Sequence, residues 1–472
     1  PIYIAEGGSK SMIRYISEKG YLGYYKNLDP QTELRYPQDF FASIAVLSSL
    51  ANSSMPRDLL LRCGGFDEDI LAAEDLELGL RMWRLGVPFR FRPSAIVHEF
   101  YVKTSNQYLR GQAVALGSGD LRACRKHPEY RPYSSLSSFG ETPVGKRWLR
   151  NLIMRFPVSP VRLLSLPLYL EEHFYRFPSL RSIGERLFLM SERITRLRSG
   201  LVSVGSWQKL KEEYDRQVPC LIYHHVGPAQ PGAMREWTIS PEQFERQIGW
   251  LADKGYVGIR PSDWQCWRRD GTGLPSKPVL ITLDDAYADT AEFALPILKR
   301  YGFGAGVFVV TARIGRTNTW DEAQGSGTLH LMTAEQIRSW SGQGIEFGAH
   351  SRTHADLTQL TTQELNAEVK GSKDDLAALL GTVPTAFAYP FGCHSEAVCK
   401  AVRKEFDLAF GSEEGMNYLR TDPYLLHRVP IGPATSLWAL SWIVRRGGLQ
   451  QIRDWRVRVG LRTRVKRALG LN

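Results

Sequence analysis

Short apolar runs alternate with amphipathic stretches along the second half of the chain, and the two kinds of segment have different periods. Apolar, β-rich runs at about 219–225, 279–283, 306–311, 345–349, 385–389 and 408–410 predict strands. Between them the apolar positions fall three or four apart. Ser240-Pro241-Glu-Gln-Phe244 supplies an N-cap serine, a first-turn proline and an acid; Phe244, Ile248 and Leu251 then mark one helical face that stops near Gly255. Thr333-Ala-Glu-Gln336 and Thr361-Thr-Gln-Glu364 read as capping boxes at two further helix starts. Strands alternating with helices in this way predict an α/β domain.

Two of the predicted strands end in groups that carry chemistry. Val279-Leu-Ile-Thr-Leu283 runs directly into Asp284-Asp285, and Ile345-Glu-Phe-Gly-Ala349 runs into His350-Ser-Arg-Thr-His354. Parallel strands deliver such residues to the open end of a sheet or barrel. One carboxylate and two imidazoles form a common ligand set for a catalytic divalent ion with an open position. The second carboxylate is left beside the ion, where a general base belongs. A lone Asp-Asp is usually a solvated turn, and a lone His-x-x-x-His is usually surface or core decoration. Their joint occurrence at strand ends favours metal-assisted hydrolysis. Phe387-Ala-Tyr-Pro-Phe-Gly392 is a third run of this type, broken by Pro and Gly.

These segments resemble the polysaccharide deacetylases of the NodB-homology type, carbohydrate esterase family 4. The family's Thr-Phe-Asp-Asp-Gly stands here as Thr282-Leu283-Asp284-Asp285-Ala286, and its His-Ser/Thr-x-x-His as His350-Ser351-Arg352-Thr353-His354. Its Arg-x-Pro-Tyr-Gly appears without the arginine as Ala388-Tyr389-Pro390-Phe391-Gly392. The resemblance covers residues 217–432. It implies an irregular (β/α) barrel and a divalent metal, usually zinc, with cobalt or a similar ion able to replace it. Asp285, His350 and His354 would hold the metal and Asp284 would be the base. Backbone N–H groups near Tyr389, within the substrate-binding segment Tyr389, Pro390, Phe391 and Gly392, would bind the oxyanion. Two histidines compete as general acid: His224, in Cys220-Leu-Ile-Tyr-His-His-Val226, and His427, in Leu425-Leu-His-Arg-Val-Pro430. The Tyr-His-x-Val pattern favours His224. Arg428 would replace the missing arginine by pairing with Asp284. Leu283 for Phe is a harmless exchange of similar volume; Ala286 for Gly introduces a Cβ where a positive φ or close substrate approach is expected. Trp237, Trp264, Trp267 and Trp320 are candidates for a sugar groove or for the core.

Residues 1–140 have another character. Cys63-Gly-Gly-Phe-Asp-Glu68 precedes Ala73-Glu-Asp-Leu-Glu-Leu-Gly-Leu-Arg81, an acid-rich helix start that dipole complementarity alone would explain. Together these runs resemble the acceptor half of family 2 glycosyltransferases, with Asp75 beside Glu74 as the implied base and His98 near a metal-diphosphate. The expected architecture is therefore a partial α/β, GT-A-like domain (1–140), a basic helical connector (141–216), the deacetylase-like domain (217–432) and a basic amphipathic tail (433–472). That family's donor half, with its Asp-x-Asp metal site, should precede this region; the chain begins at Pro1 inside the domain. The expectation is a fragment of a longer two-enzyme protein.

Composition and charge add limits. At 472 residues the length prior gives about three units at ~150 residues each, and 43% hydrophobic content supports large cores. No run of about 20 apolar residues and no signal peptide is visible. Six cysteines without a CxxC pair predict free thiols of a reducing compartment, hence a cytoplasmic location. From Pro433 to Asn472, nine Lys/Arg stand against the single acid Asp454; from Glu141 to Gln217, fourteen bases stand against eight acids. Leu149, Leu152, Ile153 and Phe156 in one segment, and Trp438, Trp442, Ile452, Trp455 and Val459 in the other, have helical spacing. Basic amphipathic helices with Trp lie on anionic membrane surfaces, so peripheral membrane contact is expected; the bland alternative is a helical appendage packed on the domain. No nucleic-acid recognition motif accompanies the net charge of +11, so no nucleic-acid partner is expected. The expected activity is metal-dependent removal of acetyl groups from a hexosamine-containing glycan or lipid-linked saccharide. The alternatives are glycosyl transfer by a longer parent protein and an inactive carbohydrate-binding module.

Overall fold

A computed structural model describes residues 2–4, 33–34, 53–70, 72–90, 98–100, 105–140, 144–155, 181–322 and 327–448. The chain divides into two compact units, Pro1–Asp215 and Arg216–Asn472.

In the first unit, strands β1 (Ile2–Ile4), β2 (Glu33–Leu34), β3 (Phe89–Arg90) and β4 (His98–Phe100) form two separate pairs, β1 parallel to β4 and β2 antiparallel to β3. Helices α1 (Arg57–Arg62), α2 (Glu74–Arg84), α3 (Ser105–Arg110), α4 (Gln112–Lys126), α5 (Val144–Arg155), α6 (Arg181–Val204) and α7 (Trp207–Tyr214) make up most of the rest. Helix α2 carries Glu74, Asp75 and Glu77 in its first turn and Arg81 and Arg84 in its last, matching the helix dipole at both ends. Leu76, Leu80 and Trp83 share one face and pack with Ala123, Cys124 and Tyr130; Leu78 and Met82 pack with Cys63. Among the described residues this unit is helical with two short strand pairs. The GT-A-like sheet expected for 1–140 is not among them.

The second unit is built on nine strands: β5 (Val218–Tyr223), β8 (Val257–Ile259), β9 (Pro278–Leu283), β10 (Ala305–Val309), β11 (Ile345–Ala349), β12 (Ala386–Ala388), β13 (Leu408–Phe410), β14 (Met416–Asn417) and β15 (Val429–Pro430). A small parallel pair, β6 (His225–Val226) and β7 (Thr238–Ile239), lies outside that sheet. The order is β13-β12-β11-β10-β9-β5-β14, all parallel except β14. Its helices are α8 (Pro241–Asp253), α9 (Pro261–Asp270), α10 (Leu295–Arg300), α11 (Thr319–Glu322), α12 (Ala334–Trp340), α13 (Thr362–Leu380), α14 (Glu396–Glu405) and α15 (Leu437–Arg446). Ser240 caps α8, and the capping boxes at Thr333 and Thr361 start α12 and α13, at the positions read from the sequence.

The sheet is irregular and curls. Strand β9 pairs with β5 along one edge, while its other edge is shared by β8 at Pro278–Leu280 and β10 at Thr282–Leu283. The far edges then meet through one segment: Leu426 bridges Phe410 of β13, and Val429–Pro430 pair with Leu221–Ile222 of β5. Leu221, Tyr223, Ile281, Leu283, Val307 and Phe347 face the helices in one large core. The opposite face holds Phe308 and Phe410, whose ring centroids are 5.8 and 5.7 Å from the Arg428 guanidinium carbon. Burial on both faces explains why these strands read as continuous apolar runs rather than as alternation. The concave face is tight: a Cβ on Gly348 would stand 2.6 Å from the Phe308 ring and 2.7 Å from the Ala386 carbonyl oxygen.

Because the strands are parallel, their C-terminal ends share one rim, and the backbone there is bent hard. Six described non-glycine residues have positive φ, and five lie on this rim: Asp285 (68°), Ala286 (54°), Ser351 (59°), His354 (64°) and Phe391 (57°). An L-residue in that conformation costs about 1–2 kcal/mol, and such strain gathers at functional sites. The cost expected for Ala286 is thus present. Its methyl group is buried in the main core, which returns about 0.8 kcal/mol. Ala286→Gly should therefore be neutral to about 1 kcal/mol stabilising by urea unfolding, where an ordinary buried Ala→Gly exchange loses about 1 kcal/mol. A loss of that ordinary size would show that no strain is relieved.

Candidate metal and catalytic site

Strand geometry places the first residues of the site. The Asp284 N–H donates to the Tyr223 carbonyl at 3.0 Å, and the His350 N–H donates to the Val309 carbonyl at 2.9 Å, so each residue is held one step past its strand. The turn into positive φ then brings Asp285 round beside it. Asp285, His350 and His354, all buried, place one ligand atom each within 4.8 Å of the others. His354 Nε2 stands 3.3 Å and His350 Nε2 3.6 Å from the same oxygen, Asp285 Oδ1. Donors on a tetrahedral ion with bonds of about 2.0–2.1 Å stand about 3.3–3.4 Å apart. Asp285 Oδ1 is buried without a hydrogen-bond partner, the condition of a ligand atom aimed at a cation. His350 Nδ1 lies 2.8 Å from the Ala388 carbonyl oxygen; donation there leaves the Nε2 lone pair facing the cluster. The three residues fit a divalent ion.

Electrostatics prepare the same groups. Burial pushes the Asp285 carboxyl upward, but the His354 and His350 rings outweigh it and hold it well below the ordinary range. Burial lowers His350 to about 4 against the pull of Asp284, so its imidazole is neutral and able to ligate at neutral pH. Asp284 is also buried; the Arg428 guanidinium overcomes that burial and keeps the carboxyl below its usual value. Arg428 Nη1 donates to Asp284 Oδ1 at 2.7 Å, its Nε donates to the Gly411 carbonyl at 2.8 Å, and the residue is only 1% exposed. Asp284 Oδ2 is 3.9 Å from His350 Nε2, next to the cluster.

The two candidate acids differ in place. His224 is half-buried, packed at 4.6 Å on Trp237. Desolvation lowers its pKa, with Asp284 and Asp285 opposing, so its ring is within electrostatic reach of both carboxylates. His427 is turned toward Gly415 and Asn417: its N–H donates to Asn417 Oδ1 at 2.9 Å, and its carbonyl accepts from Asn417 Nδ2 at 2.8 Å. Among the described residues it makes no hydrogen bond or ion pair with the cluster.

The third segment narrows the expected donors. Tyr389 is fully buried; its hydroxyl donates to the Tyr424 carbonyl at 3.0 Å and its N–H to Phe410 at 3.2 Å. Pro390 has no N–H, and that of Gly392 donates to the Tyr389 carbonyl at 2.9 Å. Tyr389, Pro390 and Gly392 therefore have no free amide for an oxyanion. The amide of Phe391, an exposed residue with its ring 4.5 Å from His354, is the remaining donor of this segment. Of the tryptophans, Trp264 and Trp267 are core residues, whereas Trp320 stacks flat on His354 at 4.6 Å and Trp237 is 38% exposed beside His224. The sequence did not single out Trp320 from the other three, because its partner is brought in by the fold. Asp75 sits in the first turn of α2 in the other unit, its carboxylate accepting from the Leu76 N–H at 2.8 Å. His98 opens β4 there.

The family model described as Polysaccharide deacetylase matches residues 272–406. YxkH of Bacillus subtilis (strain 168), whose name assigns it provisionally to the polysaccharide deacetylases, is 29% identical over 228 residues, 48% of this chain and 76% of its own. The poly-beta-1,6-N-acetyl-D-glucosamine N-deacetylase of Staphylococcus aureus (strain MRSA252) is 22% identical over 208 residues, 42% of this chain and 69% of its own. Among solved structures, the Streptococcus pyogenes deacetylase PplD in complex with acetate is 27% identical, with a TM-score of 0.42, covering 48% of this chain and 97% of that one. The second unit thus contains a polysaccharide deacetylase domain, and the chain is an enzyme, a hydrolase of that family.

Proposed function

We propose that the second unit removes acetyl groups, N-acetyl in the first place, from a hexosamine-containing glycan with the help of a divalent metal, zinc or a similar ion. The carrying observation is the convergence of Asp285, His350 and His354 on one point, with Asp284 beside them but held by Arg428. The name of the staphylococcal relative supports an N-acetylglucosamine substrate. Asp285, His350 and His354 would hold the divalent ion, which when bound would supply Lewis acidity for the acetyl carbonyl and for water. Asp284, kept ionised by Arg428, takes the proton of the attacking water. The Phe391 amide donates to the oxygen that gains charge as the carbonyl carbon becomes tetrahedral. His224, whose burial keeps it neutral until it takes over the proton that Asp284 gained, gives a proton to the nitrogen as the C–N bond breaks, releasing acetate and a free amine. Trp320 and Trp237 stand beside the ligand His354 and the acid His224, where they can wall the sugar.

The first 140 residues, in the same reading, belong with the acceptor half of a family 2 glycosyltransferase, with Asp75 as base. The Gly64-Gly65 turn followed by the acid-led helix α2 supports this.

Helix α15 supports peripheral attachment to an anionic membrane surface, with the domain on the cytoplasmic side. It buries Leu440, Ile443 and Val444, while Trp438 is 66% exposed, stacked 6.2 Å from Trp442, which lies 5.1 Å from the Arg446 guanidinium. An aromatic and cationic stripe suits a lipid headgroup layer.

Two sets of measurements test these readings. Acetate release from N-acetylglucosamine oligosaccharides should vanish with a chelator and return with zinc or cobalt. Asp284→Asn should lower kcat by about 10²–10⁴-fold with metal still bound. His224→Ala should cost activity on a similar scale, and His427→Ala should leave it nearly intact. Sugar affinity without acetate release would establish the inactive module instead. Separately, the protein should sediment with phosphatidylglycerol vesicles, less so at high salt, and Trp438→Ser should weaken that binding. Equal sedimentation with neutral vesicles, or none, overturns the membrane reading.

A further inference from the structure

The loop joining the two histidines is held by polar groups on both sides. With Ser351 and His354 at positive φ, the N–H groups of Arg352 and Thr353 turn to one side, forming the type of backbone concavity that takes an anion. Glu368, on α13, fills it. One carboxylate oxygen accepts from the Arg352 N–H at 2.8 Å and the Thr353 N–H at 2.9 Å; the other accepts from the Thr353 hydroxyl at 2.8 Å. Two turns further along the same helix, Asp375 accepts from the Thr311 hydroxyl at 2.8 Å and from Arg352 Nε at 2.9 Å. On the other side, the N–H groups of Thr311 and Ala312 donate to the carbonyls of Ser351 and Arg352 at 3.2 and 2.9 Å.

The two imidazoles are anchored unequally. His350 is fixed by its strand and by the Ala388 carbonyl. His354 Nδ1 is buried without a partner, and apart from Asp285 Oδ1 at 3.3 Å from Nε2 its ring contacts are the aromatic faces and edges of Trp320, His350 and Phe391. Stacking permits sliding, so the position of that ring is set by the backbone of 351–354. Its N–H to Ser351 Oγ (3.0 Å) closes the loop on itself, and the only charged group on the loop's amides is Glu368, among the described residues.

We propose that Glu368 is a positioning residue for the metal site, holding His354 at the spacing from His350 and Asp285 that one ion requires. This rests on the metal-centred reading above. Helix α13 lends the loop a carboxylate whose charge-assisted hydrogen bonds offset its bent backbone.

The test is metal affinity, not turnover. The full chain, stripped with a chelator, is titrated with zinc against a chromogenic competitor, and the cobalt-substituted protein is followed by its visible absorption. Glu368→Ala should raise the zinc Kd by about 10–100-fold, as loss of an outer partner does elsewhere, and should alter the cobalt band. Glu368→Gln, whose amide oxygen can still accept both N–H groups, should recover most of that loss. Glu364→Ala removes the capping box at the start of the same helix; it should lower thermal stability and leave Kd unchanged. Wild-type affinity in Glu368→Ala overturns the proposal even if that variant melts earlier. Should Glu368→Ala fail to fold, Glu368→Asp and Glu368→Gln decide: the shorter acid should bind zinc more weakly than the amide, and the reverse order overturns the proposal. A wild-type chain that takes up no zinc or cobalt overturns the metal-centred reading as well.

Discussion

The buried pair between Arg428 and Asp284 is the interaction on which the second unit's architecture and chemistry both turn. An ionised carboxylate that is 2% exposed is tolerated only with a cation and hydrogen bonds close by. The cation comes from the segment Leu426–Pro430, the same segment that joins the two edges of the sheet through Leu426 and Val429. Its guanidinium lies over the paired rings of Phe308 and Phe410, on the concave face, and reaches Thr282 and Asp284 at the end of β9. Curling of the sheet and ionisation of Asp284 therefore depend on the same segment. Removing the arginine would leave a charge stranded in the interior, and removing the aspartate would strand a guanidinium; each loss costs more than the pair contributes.

That constraint also accounts for the missing arginine of the third motif. Ala388 stands where a longer side chain would enter from β12, and its carbonyl instead orients His350. A single guanidinium approaching from the 426–430 segment meets the need of Asp284, and the missing side chain of Gly348 leaves room for the Phe308 ring. A second arginine in this narrow space would have no carboxylate left to pair with.

Much of this was legible along the chain because it is local. Caps at Ser240, Thr333 and Thr361 act within three residues, and the apolar runs ending in Asp284 and His350 announce both their strands and their rim. The Asp284–Arg428 pair was also anticipated, although 144 residues separate the partners. Harder to read were the short strands β8 and β15, with three and two residues, which owe their state to neighbours on β9 and β5 rather than to propensity. The choice among the amides near Tyr389 has a similar origin. Whether an amide near Tyr389 is free depends on what Phe410 and the 389–392 turn accept, and hydrogen-bond bookkeeping of that type exists only in the folded chain. Trp320 could not be told from Trp264 and Trp267 by composition, since stacking on His354 is a property of two segments that meet in space.

The positive-φ residues tie these threads together. Asp285, Ala286, Ser351, His354 and Phe391 each hold a conformation that their side chains disfavour. Glycine would relieve every one of them, but only Ala286 carries no functional atom. Asp285 and His354 bring a ligand atom to the cluster, Ser351 closes the loop through its hydroxyl, and Phe391 walls His354. Side-chain chemistry is kept at the expense of backbone comfort, and the surroundings must supply the difference. They do so through the strand bonds that end at Asp284 and His350 and through the carboxylate of Glu368. The rigidity of the rim therefore comes from the sheet below and from helix α13 beside it, which is why a helix that brings no residue to the cluster bears on where its histidines stand.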